Sequence, residues 1–486
     1  MPKQRLRWGL PILLGAVLRL YDLGGQSYWT DEAISIQVSK WPTSKLFAYF
    51  QVDPHPPLFY MLVKLWSIAG VDEFWMRLIS ALAGMATILI LTILAKKIYD
   101  ETIAFLAGTL MAINPLLIYV SQELRAMALA GFFIALAFWG WQRMQEDGRK
   151  GRIAAILGLT LAFYTHYYAL FAIPVFFLSS RIARRSAAIA LIAFVPWLFF
   201  LVKQVSAAEV YRSKSILWRD MVETILYANA GHFPWSWPTW TGLLSHFLVH
   251  NFQIYLVLAL ILTLPIFVLS YLEISNRFYV GKWFYLAAAV VLFAARYFPI
   301  FSPKYLAPFY PFLLISGAAG CIALYRRFPL AGKIFMVLLV LTPSVNLIDH
   351  YFNPAIRKTP WREALPTLTK NFGPADRILF YSATEAADVR FYLPKDIPTV
   401  DLWPDYQTST KNNLSSVQVK LSALDSDKIK RVVLVDLNGA LYRDTRQVAN
   451  EWLSPSRGLP VIRELQPTMQ ARWYAWGPVT RLSSSP

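Results

Sequence analysis

The sequence has 486 residues, of which 56% are hydrophobic, 15% are aromatic and only 16% are charged. One water-soluble core cannot hide that much apolar surface, so the composition excludes a purely soluble protein. The net charge of +18 does not indicate a nucleic-acid-binding face, because the Lys and Arg residues lie in the gaps between apolar runs.

Apolar stretches long enough to cross the roughly 30 Å hydrocarbon core of a bilayer recur up to about residue 350. The first is interpreted as an uncleaved helix, because no small-residue cleavage site follows it. The stretch 152–181 is interrupted at 164–168 and is basic at both ends, which indicates a hairpin of two short spans. About 11 spans are predicted in all. The remaining nine lie near residues 7–23, 76–96, 102–120, 125–143, 187–203, 250–272, 282–297, 305–325 and 331–348.

The gaps between these spans are alternately basic, which predicts that the basic ones are cytoplasmic. Clusters of Lys and Arg occupy residues 3–7, 96–97, 143–152, 181–185, 277–282 and 326–333. The N-terminus is then inside, and an odd number of spans brings the chain out of the membrane after Ile348. The predicted outer segments are 24–75, 121–124, 204–249, 298–304 and everything beyond residue 350.

The composition becomes that of a soluble protein from about residue 357. Residues 377–382 and 431–437 read as buried strands separated by helical stretches, and the pattern of 461–476 is typical of a hairpin. The predicted fold is therefore mainly α. Residues 1–350 form a membrane helical bundle, and residues 351–486 form a small extracytoplasmic α/β domain.

The first outer loop opens with Tyr28-Trp29-Thr30-Asp31-Glu32, two adjacent carboxylates a few residues beyond a membrane helix. A carboxylate at this boundary suits a general base that takes the proton of an acceptor hydroxyl, and Asp31 is the candidate, with Glu32 beside it. The alternative is structural: Thr30 or Asp31 caps a helix through Ala33–Val38, and Glu32 complements its dipole.

Further along the same loop, the prolines of Asp53-Pro54-His55-Pro56-Pro57 hold an acid and an imidazole before the next apolar helix. Asp53 and His55 are candidates for binding a phosphate or a divalent cation, although two ligands fall short of a metal motif. The alternative is that Asp53 caps that helix.

Cations recur near the predicted outer ends of later spans. A cation that is half-buried there needs an anionic partner, which a lipid phosphate would supply. The alternative is that each of these side chains extends along the helix to the lipid headgroups. Glu123 either accepts from an acceptor hydroxyl or pairs with Arg125, and His166 is a binding residue or an interfacial one. The cations are Arg125, Arg296 and Lys304.

These motifs, in this order, resemble the GT-C superfamily of membrane glycosyltransferases, specifically its bacterial protein-mannosyltransferase-like and aminoarabinose-transferase-like branch. The resemblance covers about the first three quarters of the chain, and Lys304 stands where Arg is more familiar. The segments that carry it are Trp29–Glu32, His55–Tyr60, Ser121–Arg125, Thr165–Tyr167, Ser302–Pro308 and Pro360–Ala364.

The resemblance implies an inverting transferase in a bacterial inner or plasma membrane. It would move a sugar from a polyprenyl-phosphate carrier to a protein, lipid or glycan acceptor, with Asp31 as base. Tyr167 and Tyr305, within the matching segments, join the candidate substrate-binding residues, and a divalent cation is left open. Two alternative functions are a transporter of a lipid-linked saccharide and a non-catalytic scaffold protein. The sequence shows no pseudo-symmetric halves, which argues against the transporter.

Overall fold

The computed structural model consists of two compact units. One comprises residues 1–24 and 39–353, and the other comprises residues 25–38 and 354–486. The segment 25–38 thus folds with C-terminal residues, whereas the sequence-based division assigned it to the membrane part. The structure describes residues 2–51, 53–144, 146–207, 303–352, 357–382, 386–403, 419–421, 431–436, 461–466 and 471–476.

Every regular element in the described part of the first unit is a helix. Short 3₁₀ helices at Tyr167–Ala172, Val195–Trp197 and Pro303–Leu306 join or precede its α-helices. Helix α2 (Thr30–Ser39) belongs to the second unit except for its last residue. The other helices are α1 (Pro2–Leu20), α3 (Thr43–Tyr49), α4 (Leu58–Trp66), α5 (Glu73–Ile98), α6 (Glu101–Ile113), α7 (Pro115–Ser121), α8 (Ala126–Arg143), α9 (Gly148–Thr165), α10 (Ile173–Ser179), α11 (Arg181–Phe194), α12 (Leu198–Ala207), α13 (Tyr310–Arg327) and α14 (Pro329–Phe352).

Three stretches within the described residues are long and apolar enough to cross a membrane by themselves. They are Glu73–Ile98, Arg181–Gln204 and Pro329–Phe352, and the bent pair α6–α7 would make a fourth. Gly9–Leu20 and Tyr167–Ser179 are shorter apolar helices. The predicted spans 250–272 and 282–297 lie outside the described residues, so the number of 11 spans stays a prediction.

The predicted span 102–120 is not one straight helix. Its two parts, α6 and α7, meet at an angle of 59°. Pro115 begins α7 and has no N–H to continue the hydrogen bonds of α6, while the Asn114 side chain accepts a hydrogen bond from the Leu117 amide at 3.0 Å. The bend follows from this Asn-Pro pair.

The bend exposes backbone carbonyls that the side chain of Arg19 satisfies. The guanidinium of Arg19, on α1, donates to the carbonyls of Met111 and Ala112 at 3.2 Å each, and its Nε donates to the Ser121 hydroxyl at 3.2 Å. Arg19 is only 1% exposed. A cation buried this deeply requires such partners, so this contact fixes α1 against the α6–α7 break.

Ion pairs connect three of the gaps that the sequence assigns to the cytoplasm. Lys97 pairs with Glu146 at 2.7 Å, and Arg326 pairs with Asp100 at 2.6 Å. These pairs are largely exposed, so each contributes little to stability. They do show that the gaps after α5, α8 and α13 meet, as an alternating topology requires; which side is cytoplasmic stays a prediction.

The second unit contains a five-stranded mixed sheet in the order β2-β1-β3-β5-β4. Strand β1 pairs in parallel with β2 and β3, whereas β5 pairs antiparallel with β3 and β4. The predicted strands at 377–382 and 431–437 and the predicted hairpin at 461–476 are present. The elements after α14 are α15 (Trp361–Thr369), β1 (Asp376–Ser382), α16 (Ala387–Tyr392), β2 (Thr399–Trp403), β3 (Arg431–Asp436), β4 (Val461–Gln466) and β5 (Ala471–Trp476).

The core of the second unit lies between α15, α16 and the parallel strands. Trp361, at the first position of α15, is fully buried against residues of β1, α16 and β3. The central strands are apolar on both faces, which is typical of parallel strands in α/β domains. The core members are Trp361, Leu365, Leu368, Ile378, Phe380, Ala386, Val389, Leu393, Ile397, Val433 and Val435.

Candidate functional site

A polar cluster in the first unit begins at the proline-rich segment before α4. Asp53 accepts a hydrogen bond from the Tyr49 hydroxyl at 2.9 Å, and its other oxygen lies 3.1 Å from Nδ1 of His55. Pro57, not Asp53, is the residue that precedes α4, so the helix-cap alternative for Asp53 does not apply. Both carboxylate oxygens instead orient neighbouring side chains.

Arg125 extends this cluster from the start of α8. Its Nη2 lies 3.4 Å from Nε2 of His55. Because a guanidinium only donates, His55 Nε2 is the acceptor in this contact, and Nδ1 donates to Asp53. The chain Tyr49–Asp53–His55–Arg125 therefore joins two motif segments that are about 70 residues apart.

The electrostatics of the cluster keep Asp53 ionised. Burial by itself raises the pKa of Asp53, but the adjacent His55, the Tyr49 hydrogen bond and the charge of Arg125 together lower it below its ordinary value. Asp53 is therefore a fixed negative charge at neutral pH.

His166 lies at the tip of the predicted hairpin, between α9 and the 3₁₀ helix Tyr167–Ala172. It is 5% exposed, and its Nδ1 accepts a hydrogen bond from the Tyr168 amide at 3.2 Å. Its ring centroid lies 6.0 Å from that of His55. Burial, and then the neighbouring His55 and the charges of Arg125 and Lys304, lower its pKa well below the ordinary value, so this imidazole is neutral at pH 7.

Lys304 and Tyr305 come to the same place from the 3₁₀ helix Pro303–Leu306. The Tyr305 ring lies 5.3 Å from the His166 ring and 5.0 Å from the Tyr168 ring. The charge of Lys304 acts on His166, as does that of Arg125. The cluster thus brings together residues of four motif segments, and we call its members Asp53, His55, Arg125, His166, Lys304 and Tyr305 the cationic cluster.

Two further predicted binding residues of the first unit make structural contacts. The Tyr167 hydroxyl donates to the Gln204 side chain and accepts from the indole of Trp197 at 2.8 Å. Gln204 in turn donates to the carbonyl of Phe50 at 2.6 Å, which supports the chain just before Asp53. Glu123 is buried, and its carbonyl accepts from the Arg125 amide at 2.8 Å. Arg296 lies outside the described residues.

Part of the Ser-Gln-Glu-Leu-Arg motif docks helices. The Gln122 amide donates to the carbonyls of Leu18, Arg19 and Tyr21 at the end of α1, at 2.8–3.2 Å. Its oxygen lies 3.0 Å from Nε2 of His350 on α14. Gln122 therefore caps α1, and Arg125 is the residue of the motif that reaches the cationic cluster.

Asp31 and Glu32 lie in the second unit, at the start of α2. Helix α2 confirms the predicted helix, and Oε2 of Glu32 reaches back to the Trp29 amide at 3.3 Å, as in a capping box. The same oxygen forms an ion pair with Lys358 at 3.0 Å, and the Glu32 side chain is 0% exposed. Asp31 is half-buried, and its carbonyl accepts from the Ser35 hydroxyl.

The metal hypothesis is not supported by a ligand set. Among the residues that the structure describes, no three His, Cys, Asp or Glu side chains are arranged to hold a metal ion. Asp53 and His55 are neighbours, but they bind each other. Binding of a divalent cation by Asp53 and His55 therefore stays a prediction.

Sequence reasoning missed several residues that organise these sites. Tyr49 precedes Asp53 by four positions in a helical stretch, a spacing that could have indicated the contact. Lys358 lies two residues before the motif segment Pro360–Ala364, and Gln204 lies in no motif at all, so no local signal identified them.

A family model and a curated protein each match a part of the chain. The family described as dolichyl-phosphate-mannose-protein mannosyltransferase matches residues 54–201, which include His55, Arg125 and His166. The protein named "Putative mannosyltransferase YkcB" of Bacillus subtilis (strain 168) is 27% identical over 161 residues. That match covers 30% of this chain and 21% of YkcB, so the likeness is to one part of a longer protein.

Solved structures resemble the chain over almost its whole length. ArnT from Cupriavidus metallidurans in the apo state is 12% identical, with a TM-score of 0.59 over 98% of each chain. The archaeal oligosaccharyltransferase AglB from Archaeoglobus fulgidus, in complex with an inhibitory peptide and a dolichol-phosphate, is 11% identical. Its TM-score is 0.52 over 99% of this chain and 75% of that one. The family match over residues 54–201 and the shared fold agree with the resemblance to the GT-C superfamily seen in the sequence.

Proposed function

We propose that the protein is a membrane glycosyltransferase that transfers a sugar from a polyprenyl-phosphate carrier to an acceptor hydroxyl, with inversion. The observation that carries the proposal is the geometry of the cationic cluster: Arg125 lies 3.4 Å from His55, and the buried His166 lies between the rings of His55 and Tyr305, the neighbour of Lys304, at centroid distances of 6.0 and 5.3 Å. Two cations beside a neutral imidazole and a tyrosine ring suit a phosphate at the membrane boundary, where its charge is poorly screened.

The donor class is inferred from the chemistry of the cluster and from the relatives. ArnT from Cupriavidus metallidurans has been solved bound to undecaprenyl phosphate, at 13% identity and a TM-score of 0.55 over 98% of this chain and 99% of that one. AglB has been solved with a dolichol-phosphate. In this chain Arg125 would bind two phosphate oxygens through its planar fork, and Lys304 would act as a point charge.

The proposed reaction needs a base for the acceptor and cations for the departing phosphate. The acceptor oxygen attacks the anomeric carbon, its proton passes to the Asp31 carboxylate, and the bond from that carbon to the phosphate oxygen breaks. The electron pair of the broken bond stays on the polyprenyl phosphate. Arg125 and Lys304 stabilise that growing negative charge, which is where a preorganised cation lowers the barrier most.

The test is transfer by purified full-length protein in lipid nanodiscs, with a panel of undecaprenyl-phosphate hexoses and pentoses and with envelope extract as acceptor. Asp31→Asn is expected to lower the rate by about 1,000-fold while carrier binding persists. Asp396→Asn is the matched control, because Asp396 is an exposed acid of the same unit. If Asp31→Asn transferred sugar at the wild-type rate, Asp31 would not be the base. Movement of the carrier lipid without release of sugar would instead show a transporter.

A further inference from the structure

The start of the first outer loop is held by residues of the C-terminal sequence. The Arg362 amide donates to the Ser27 hydroxyl at 3.1 Å, and the Tyr28 amide donates to the Tyr392 hydroxyl at 2.7 Å. The Tyr28 ring is fully buried and packs edge-on against Phe391, with centroids 5.0 Å apart. The chain entering α2 therefore has a fixed path within the second unit.

The ion pair of Glu32 and Lys358 fixes the first turn of α2. Glu32 has no exposed side-chain surface and Lys358 has 14%, so the pair is largely removed from solvent. A buried pair of this kind is expensive to break, because the remaining partner keeps an uncompensated charge. The Lys358 amide also donates to the Gln26 side chain at 3.0 Å, which ties the same residue to the loop a second time.

Asp388 fixes the other side of the same turn. Its carboxylate accepts from the indole of Trp361 at 3.1 Å, from the Val389 amide at 2.9 Å and from the hydroxyl of Thr30, the residue immediately before Asp31. Asp388 is 6% exposed, and Trp361 belongs to the core of the second unit. The position of Thr30 is thereby connected to that core.

We infer that the C-terminal unit is a positioning element of the transferase reaction, in which Lys358 and Asp388 orient the first turn of α2 and thereby the Asp31 carboxylate. Glu32 then serves as the fixed partner of Lys358 and not as a second base. The inference rests on the proposed role of Asp31 as base. Lys358 and Asp388 are positioning residues, since they act through Glu32 and Thr30.

The experiment compares Lys358→Met, Lys358→Arg and the double variant Glu32→Gln/Lys358→Met in the full chain, with the transfer assay above. Lys358→Met is expected to lower kcat by about 100-fold, because a displacement of about 1 Å costs that much, while the donor KM changes less than about 3-fold. Lys358→Arg keeps the charge and should recover most of the rate. The double variant should recover at least about 10-fold, since no charge is left unpaired. Lys395→Met is the control, because Lys395 is an exposed lysine of the same unit.

Hydrogen exchange of amides 30–38 in the same full-length variants provides a readout that does not depend on turnover. Lys358→Met should speed exchange there and leave amides 376–380 of β1 unchanged. Wild-type kcat in Lys358→Met, with Asp31→Asn inactive, would overturn the positioning role alone. An active Asp31→Asn would overturn the proposed function instead. Uniformly faster exchange throughout the second unit, with kcat per folded molecule unchanged, would show that Lys358 only stabilises the fold and would also overturn the inference.

Discussion

The two polar regions of the chain are built from different kinds of contact. In the cationic cluster, Asp53 and His55 are two residues apart, and their partner Arg125 lies in another motif of the sequence. Around Asp31 the decisive partners are distant: Lys358 lies 326 residues after Glu32 and outside every motif. The residues of a binding site can be recognised in the sequence when they belong to short motifs. The residues that hold one catalytic side chain in place cannot be recognised in this way when they lie far away in the sequence.

Within the cationic cluster the largest effect is expected at Arg125, which with Lys304 supplies the positive charge of the cluster. Arg125→Gln should lower kcat/KM for an undecaprenyl-phosphate sugar by about 100- to 1,000-fold, the loss typical of one donor to a developing oxyanion. Arg125→Lys should recover only part, because it loses the two-pronged geometry. Steady-state kinetics in nanodiscs measure both variants. Arg152→Gln, an exposed arginine of α9, is the control, and an equal loss there would remove the cluster from catalysis.

The region around Asp31 should respond to pH through Asp388. Burial raises the pKa of Asp388 to about 7, despite the hydrogen bonds that it accepts. The folded unit therefore holds a proton that the unfolded chain releases, and its stability should fall as pH rises from about 4 to 7 and then level off. Between pH 5 and pH 7 the expected loss is about 2 to 3 kcal/mol.

Hydrogen exchange of the α16 amides, corrected for the intrinsic pH dependence of exchange, measures this loss in the full chain. Asp388→Asn should abolish the pH dependence, because the amide does not titrate. Lys395→Met, which removes a charge nearby in sequence without touching Asp388, should keep it. A slope that survives in Asp388→Asn would assign the titration to another group.

The packing of α1 should be sensitive to Gly84. A Cβ at this position would lie 2.2 Å from the Ser121 hydroxyl and 3.0 Å from Nε of Arg19, so the contact between α1 and the α6–α7 break would have to shift. Gly84→Ala should destabilise the first unit by about 2 kcal/mol, which thermal unfolding in detergent measures. Gly9→Ala is the control, because a Cβ there meets no atom within 4 Å. Equal melting temperatures would mean that the helices adjust without cost.

The smallest effect is expected at Tyr49. Tyr49→Phe removes one hydrogen bond to Asp53, which should raise the pKa of that carboxyl and weaken the orientation of His55 by about 1 kcal/mol. The donor KM should rise by about 2- to 5-fold with little change in kcat. An unchanged KM would show that His55 alone orients Asp53.

Much of the helical framework and of the cationic cluster could be predicted from the sequence. The length of the apolar stretches predicted the membrane helices. The distribution of Lys and Arg predicted that His55, Arg125, His166 and Lys304 lie on the same side of the membrane. The Asn-Pro pair at Pro115 could have indicated the bend. Because the pair lies within a long apolar stretch, the sequence favoured one continuous span. A partner such as Lys358 could not be predicted, because an ion pair between residues 326 positions apart produces no periodic pattern or motif in the sequence.

Arg19 has a consequence for how the chain assembles in the bilayer. Its guanidinium lies on α1, yet its carbonyl partners on α6 are synthesised more than ninety residues later. Until they arrive, the nascent helix carries a cation without these acceptors, so α1 reaches its final position only after the third predicted span, which contains α6, has inserted. The order of synthesis and the order of docking are therefore different for this helix.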